Sequence, residues 1–389
     1  MKNWKTYKLG ELIEINKNSI TKDFRFDIIE YLDTSSVTEN RFAELQVIKL
    51  SDAPSRAKRI VKNDDIVYST VRPNQKHFGI VKNAKPNTIA STGFAVITPT
   101  KIDPNFLYYY LAQNEIVGFL NGVAESNTTT FPAFNASLLE TIDVTIPDSL
   151  KTQQSIASIL SSLDNKIELN LQMNQTLEAI AQAIFKEWFV NFNFPGFDGR
   201  LVDELPKGWR LGKLGEVIIN FDSKRIPLSS MQRAERKGQY RYYGAASIVD
   251  YVDDYIFDGT YLLFGEDGTV ITNDGFPVLQ YVNGKFWVNN HTHVLQGNSP
   301  ISTEFIYLLL KEMPINHIVT GAVQPKINQG NLNSIECIIP SENILSEFDF
   351  LIKPFFEKRM QIEDENKTLT QLRDSLLPQL MTGQIEVNA

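Results

Sequence analysis

The sequence predicts an α+β fold built twice: two homologous α/β domains joined by two long antiparallel helices that form an intramolecular coiled coil, related by pseudo-two-fold symmetry. Three observations predict it. WKTYKLGELI from Trp4 returns as WRLGKLGEVI from Trp209. NFLYYYL from Asn105 returns as EFIYLLL from Glu304, and the stretch Thr130–Pro147 returns as Val323–Pro340. A long helical pattern follows each copy. The offset between copies drifts from 205 through 199 and 193 to 192 residues, so small insertions and deletions separate them. A repeat of about 200 residues is too long for a solenoid unit and implies two domains.

The first domain is expected over 1–149. Its β-branched runs NDDIVYSTV and NTIASTGFAVITP are bounded by Asn, Asp, Gly and Pro and read as strands. Asp103-Pro104 is a cap followed by proline at the first turn, which opens a helix over 104–120. The second domain, 196–340, has the same plan. Turns are expected at Asp258-Gly259, Asp267-Gly268 and Asn283-Gly284, and a helix opens at Ser302-Thr303-Glu304.

Helical regions are expected over 150–195 and 341–389. Stepping by four and three from Ile156 gives Ile156, Leu160, Leu163, Ile167, Asn170, Asn174, Leu177, Ala181, Ile184 and Trp188. Adding 192 gives a second seam from Phe348 to Leu380, apolar at most of the same places. Such spacing is that of a coiled-coil seam. Asn174 maps onto Asn366, so both copies place an asparagine at one core-type position, where a buried Asn fixes register at a cost in stability. About 35 helical residues at ~1.5 Å each give a rod of about 50 Å, which spans about 15 base pairs.

Composition narrows the classes. The opening MKNWKTYKLGEL is polar and unlike a signal peptide, and no run approaches the ~18 apolar residues of a membrane helix. The lone Cys337 lies in an apolar strand pattern and reads as a core residue; a cytoplasmic location is expected. The net charge is −8: residues 1–150 balance 17 basic against 17 acidic side chains, and residues 201–389 carry 17 against 24. Local basic clusters stand out at Arg56, Lys58 and Arg59 and at Lys224, Arg225, Arg233, Arg236, Lys237 and Arg241. A solvated face explains such clusters as readily as a nucleic-acid surface does.

Catalytic motifs are missing. The chain has no P-loop, no Asp/Asn-Pro-Pro-aromatic motif, no Gly-rich cofactor loop, and no GxSxG, HExxH or CxxC. Glu266, Asp267, His291 and His293 could be gathered into a metal-dependent nuclease site, since His-x-His places two imidazoles on one face of a strand. The first copy has no equivalent set, so no metal site is assigned. The same polar residues suit DNA instead: Asn pairs with adenine, Arg and Lys with guanine, and Glu or Asp with cytosine N4. Candidates in the first domain are Ser69, Thr70, Arg72, Asn74 and Lys76, beside His77. In the second they are Lys224, Arg225, Glu266, Asp267, Thr269, Asn289, Asn290 and His291. The polar loop Asn127–Thr130 matches Gln324, Lys326 and Asn328. Pro132/Pro325 and Asn135/Asn328 match so well that their first role is structural.

Over essentially its whole length the chain resembles the specificity subunit of Type I restriction–modification systems. The resemblance rests on W-x-x-x-K-L-G-E at Trp4–Glu11 and Trp209–Glu216, and on the helix ends LLETIDVTIPDSLKTQQSIASILSSLDNKIELN and NKTLTQLRDSLLPQLMTGQIEV. The runs YYGAASIVDYVDDYIFDGTYLLFGEDGTV with WVNNHTHVL, and IEYLDTSSVTEN with STVRPN and STGFAVITP, resemble two classes of target recognition domain. It implies a non-catalytic subunit in which each recognition domain reads one half of a bipartite, asymmetric double-stranded DNA site. The helices would set the spacer and dock two modification (methyltransferase) subunits. S-adenosylmethionine, ATP and Mg would belong to those partners and to the restriction/translocase subunits. The alternatives are the nuclease above or a coiled-coil scaffold without a DNA role.

Overall fold

The computed structural model describes residues 4–127, 132–321 and 323–387. They divide into two compact units, 1–169 with 366–389, and 170–365. Each unit recruits half of each long helix, whereas a linear division of the sequence sets the helices apart as regions of their own.

The first unit has a core sheet in the order Ile13–Ile15, Phe94–Pro99, Ile66–Ser69, Phe78–Ile80, antiparallel throughout. A second sheet runs Gln46–Lys49, Ile28–Leu32, Thr88–Ser91, Ala57–Ile60, with its central pair parallel. Trp4–Lys8 pairs antiparallel with Asp143–Pro147. The second unit repeats this connectivity. Its core sheet is Ile218–Asn220, Thr292–Gly297, Tyr261–Gly265, Leu279–Val282. Its second sheet is Ile248–Val252, Lys237–Tyr243, Lys285–Val288, Phe257–Asp258, again with a parallel central pair. Arg210–Lys213 pairs with Glu336–Ile339. The repeat in the sequence is therefore a repeat of topology.

The repeated K-L-G-E is a strand-ending turn. Glu11 accepts the N–H of Lys8 at 2.9 Å, and Glu216 that of Lys213 at 2.8 Å. A Cβ on Gly10 would lie 3.0 Å from Cβ of Glu140, and one on Gly215 2.9 Å from Cβ of Asn333. Close approach of a neighbouring element therefore requires glycine at both places. Asn135 and Asn328 cap the short helices Ala136–Thr141 and Gln329–Asn333 through their side chains, at 3.1 Å to Ser137 N–H and 2.8 Å to Asn331 N–H. Their structural role is as expected.

Asp103 caps the helix Pro104–Ala112, accepting from Phe106 N–H at 2.9 Å, but the helix stops short of the expected residue 120. Gln113 is extended (φ −60°, ψ 139°), and a second helix, Asn114–Asn127, starts there with the Gln113 carbonyl accepting from Val117. The matching helix Thr303–Lys311 opens on Ser302, whose side chain accepts from Phe305 N–H. Gly259, Gly268 and Gly284 are left-handed, as the Asp-Gly and Asn-Gly turns require.

The long helices are Leu150–Phe189 and Glu342–Met381. Every predicted seam position is buried or half-buried. The segments run antiparallel within each unit. In the first, Ile156 and Leu160 share a core with Leu380 and Met381, while Asp164 meets Arg373 at 2.8 Å. In the second, Asn170 meets Glu365 at 2.9 Å and Glu178 meets Arg359 at 3.0 Å. Phe185, Phe189, Phe305 and Phe348 interlock there, with Phe189 and Phe348 ring centres 4.8 Å apart. Burying each such ring contributes about 2–3 kcal/mol. Cys337 is buried in this core, and desolvation pushes its thiol up to about 11.

Candidate nucleic-acid interface

In each unit the candidate residues cluster where the central strand of the core sheet ends. In the first, Ile66–Ser69 leads into a turn that carries Arg72 and Lys76 in the left-handed region (φ 47° and 54°) around the short helix Pro73–Gln75. Thr70 donates its N–H and its hydroxyl to the Gly93 carbonyl, at 2.9 and 3.0 Å. Arg72 N–H donates to Pro132 O at 2.9 Å, and Phe134 N–H to Thr70 O at 3.0 Å. The second unit repeats the stitching. Glu266 N–H donates to His291 O at 2.9 Å, Gly268 N–H to Pro325 O at 3.0 Å, and Ile327 N–H to Glu266 O at 2.9 Å. Thr70 thus corresponds to Glu266, Arg72 to Gly268, and Gly93 to His291. The repeated Pro132 and Pro325 each supply the carbonyl that pins this loop.

The side chains differ, and the structure sorts the candidates. Arg72 and Asn74 are exposed in the first unit. Ser69, expected as a base reader, is 2 % exposed, and its hydroxyl donates to Val71 O at 2.8 Å. Thr70 holds the loop through the bonds above. Lys76 pairs with Glu39 at 2.8 Å, and His77 Nδ1 faces Val37 O and Thr38 Oγ1. Thr128, Thr129 and Thr130 of the polar loop lie outside the described residues.

In the second unit Lys224, Thr269, Asn290 and His291 are exposed. Lys224 Nζ stands 5.0 Å over the Phe221 ring. Asn289 shapes the turn, accepting His291 N–H at 2.9 Å, and Asp267 accepts from Gln324 Nε2 at 2.7 Å. Arg225 and Glu266, expected as base readers, face each other instead. The Arg225 side chain is 14 % exposed; it donates to Asp222 O, Thr292 O and Asn290 O, at 3.0, 2.8 and 3.4 Å, and to the Glu266 carboxylate at 2.6 Å. Both charges are held inside the protein. The flanking basic run is largely neutralised as well: Arg233 and Lys237 on Asp250, Arg236 on Asp253, and Arg241 4.0 Å from Glu363. Arg56 likewise pairs with Asp33 at 2.6 Å.

His293, 1 % exposed, faces Asp222 Oδ2 through Nδ1 at 2.5 Å and Ile327 O through Nε2 at 2.9 Å. Burial opposes ionisation of Asp222. The hydrogen bond and charge of His293, the Val294 N–H and the Arg225 guanidinium outweigh it and hold this carboxyl below the usual carboxylate value. The set imagined for a nuclease is not assembled. Asp222, which sequence reasoning missed, joins Glu266 and His293 with potential ligand atoms within 4.8 Å of one another. The Arg225 guanidinium faces both carboxylates, at 3.5 Å from Asp222 and 2.6 Å from Glu266. His291 lies outside the strand Thr292–Gly297 and pairs with Asp267 at 3.3 Å instead.

The family model for the Type I restriction modification DNA specificity domain matches residues 1–179 and 206–363. The Type I restriction enzyme HindI specificity subunit of Haemophilus influenzae is 28% identical over 477 aligned residues, covering 99% of this chain and 100% of that one. The MjaIX specificity subunit of Methanocaldococcus jannaschii is 28% identical and covers 79% of this chain and 76% of its own. Among solved structures, the S subunit of a Type I restriction–modification system from M. genitalium shares the fold, with a TM-score of 0.58 at 16% identity over 97% of this chain and 96% of that one. With two matches spanning most of its length, the chain belongs to the Type I restriction modification DNA specificity family, as a DNA-recognition subunit that is not itself catalytic.

Proposed function

We propose that each unit reads one half of an asymmetric, two-part double-stranded DNA site. The observation that carries this is the pair of equivalent loops, pinned by Pro132 and Pro325, with different exposed side chains. A shared scaffold with divergent loop chemistry suits two half-sites of different sequence. Arg72 and Asn74 are the proposed base readers of the first unit, and Lys224, Thr269, Asn290 and His291 those of the second. Phosphate contacts position the domains and base contacts specify the sequence.

The long helices set the gap between half-sites and dock two modification (methyltransferase) subunits, with Asn174 and Asn366 helping to fix their register. S-adenosylmethionine, ATP and Mg are bound by those partners and by the restriction/translocase subunits. Domain limits of 1–149, 150–195, 196–340 and 341–389 and a cytoplasmic location complete the proposal. Among the described residues no helix is long and apolar enough to cross a membrane. The net charge of −8 is compatible with DNA binding where partner subunits supply positive surface. The test is a methylation map of cells co-expressing the chain with its modification subunit. A gapped, two-part methylated motif is expected. A soluble complex that leaves no motif would leave the scaffold reading in its place.

A further inference from the structure

The exposed residues of the second unit sit on loops with no regular ladder between them, yet these loops converge on one buried ionic group. Arg225 ties the turn at 222–225 to Glu266 and to the carbonyls of Asn290 and Thr292. His293 ties Asp222 to the carbonyl of Ile327, and Asp222 in turn accepts Val294 N–H at 2.9 Å. Lys224 adjoins Arg225 in the chain, Asn290 and His291 lead directly into Thr292, and Thr269 follows the Glu266 loop. All four exposed side chains therefore lie on loops that this group joins, in addition to the backbone bonds shared by both units.

Among the described residues the first unit has no such group. Pairing places His293 opposite Phe264 and Ala95 opposite Tyr68. Tyr68 and Phe264 are equivalent, two residues before Thr70 and Glu266, so Ala95 stands where the second unit has His293. A buried ion pair contributes modest stability, fixes geometry in some proteins, and on removal of one partner leaves the other charge uncompensated.

We propose that Asp222, Arg225, Glu266 and His293 are positioning residues that set the geometry of the second unit's reading loops and so determine base discrimination at one half-site only. The proposal rests on the DNA-reading assignment above. The first half-site, read by a unit without this group, is its internal control.

The experiment uses the full chain in complex with its modification subunit and a DNA library carrying single substitutions throughout the wild-type motif. Arg225→Lys keeps the charge but loses the forked donor set; His293→Gln removes the imidazole. Each is expected to lower discrimination about tenfold at several positions of one half-site, with the other half-site unchanged. Amide exchange should rise at 222–225, 266–269, 289–292 and 324–327 and nowhere else in the unit. Asp222→Asn combined with His293→Gln should discriminate better than His293→Gln alone, because it removes the carboxylate that faced the imidazole at 2.5 Å, while Glu266, 3.7 Å from that ring, keeps Arg225; a packing role would make the double variant worse. Where a single variant does not assemble, an assembling double variant with one loosened half-site carries the test. Equal loosening of both half-sites, unchanged discrimination, or loss at one base position alone would overturn the proposal. A wild-type complex without any two-part motif would instead overturn the DNA-reading assignment, and the positioning role with it.

Discussion

Arg72 and Gly268 hold the same place in the two repeats: each is left-handed, at φ 47° and 89°, and each donates its N–H to the carbonyl of the repeated proline, at 2.9 and 3.0 Å. The left-handed region costs a non-glycine residue about 1–2 kcal/mol. The fold of the first unit thus tolerates an arginine where the backbone favours glycine, which is expected of a side chain retained for its chemistry. Arg72→Gly should change stability by less than about 1 kcal/mol, because relief of strain offsets the added freedom of the unfolded chain. It should relax one half-site by about 1–3 kcal/mol. Denaturant unfolding beside a methylation map of the same variant checks both. Loss of stability without loss of specificity would make Arg72 a folding residue.

Glu178 makes stability depend on pH. It accepts from Tyr307 Oη at 2.8 Å and Arg359 at 3.0 Å and pairs with Lys311. Burial would raise its carboxyl, but the Lys311 bond, the Arg359 charge and the Tyr307 hydroxyl prevail and hold it below the usual 4.5. A folded-state value below the unfolded one contributes stability that is present above the unfolded value and lost as pH falls through the folded value. Glu178→Gln should therefore cost about 1.5–3 kcal/mol at neutral pH by weakening the charged hydrogen bond to the largely buried Arg359 and the bond from Tyr307. The gap between variant and wild type should narrow as pH falls below 4.5. Urea midpoints between neutral pH and pH 3 measure it; a constant gap would show that the loss is one of packing.

Two asparagines on the first long helix should respond oppositely to leucine. Asn170 is 1 % exposed and donates to Glu365, whereas Asn174 is half-buried with its side-chain oxygen unpartnered. An unsatisfied buried acceptor costs about 1–3 kcal/mol, and a made hydrogen bond contributes about 1 kcal/mol. Asn174→Leu should raise the thermal midpoint and Asn170→Leu lower it. A lower midpoint or several species for Asn174→Leu would instead support the proposed register role.

The repeat was legible because its conserved letters do backbone work. Gly10 and Gly215 permit close approach, and Pro132 and Pro325 supply carbonyls at one place. The reading loops were legible as loops. Which side chains point outward was not, because that depends on partners far along the chain: Arg225 is engaged by residues 41, 65 and 67 positions away. Asn170 stood in the predicted seam without a register role for a related reason. Its repeat counterpart is the buried Ile362, so the two copies match an asparagine only at Asn174 and Asn366. The break at Gln113 carried no glycine or proline to announce it.

Exchange of residues 1–149 for the corresponding segment of another specificity subunit should change one half-site and leave the other half-site intact. The junction falls just ahead of the helix Leu150–Phe189, so that helix survives whole. Its buried Ile156, Ala157 and Leu160 belong to the core of the first unit and must meet the incoming domain. Donors that keep large apolar residues at the positions of Leu107, Leu111 and Ile146 should therefore assemble, since replacing one such side chain by alanine costs about 2–5 kcal/mol. Methylation mapping of the exchanged chain should show a motif with one new half. A motif changed in both halves would mean that the two units do not read DNA independently.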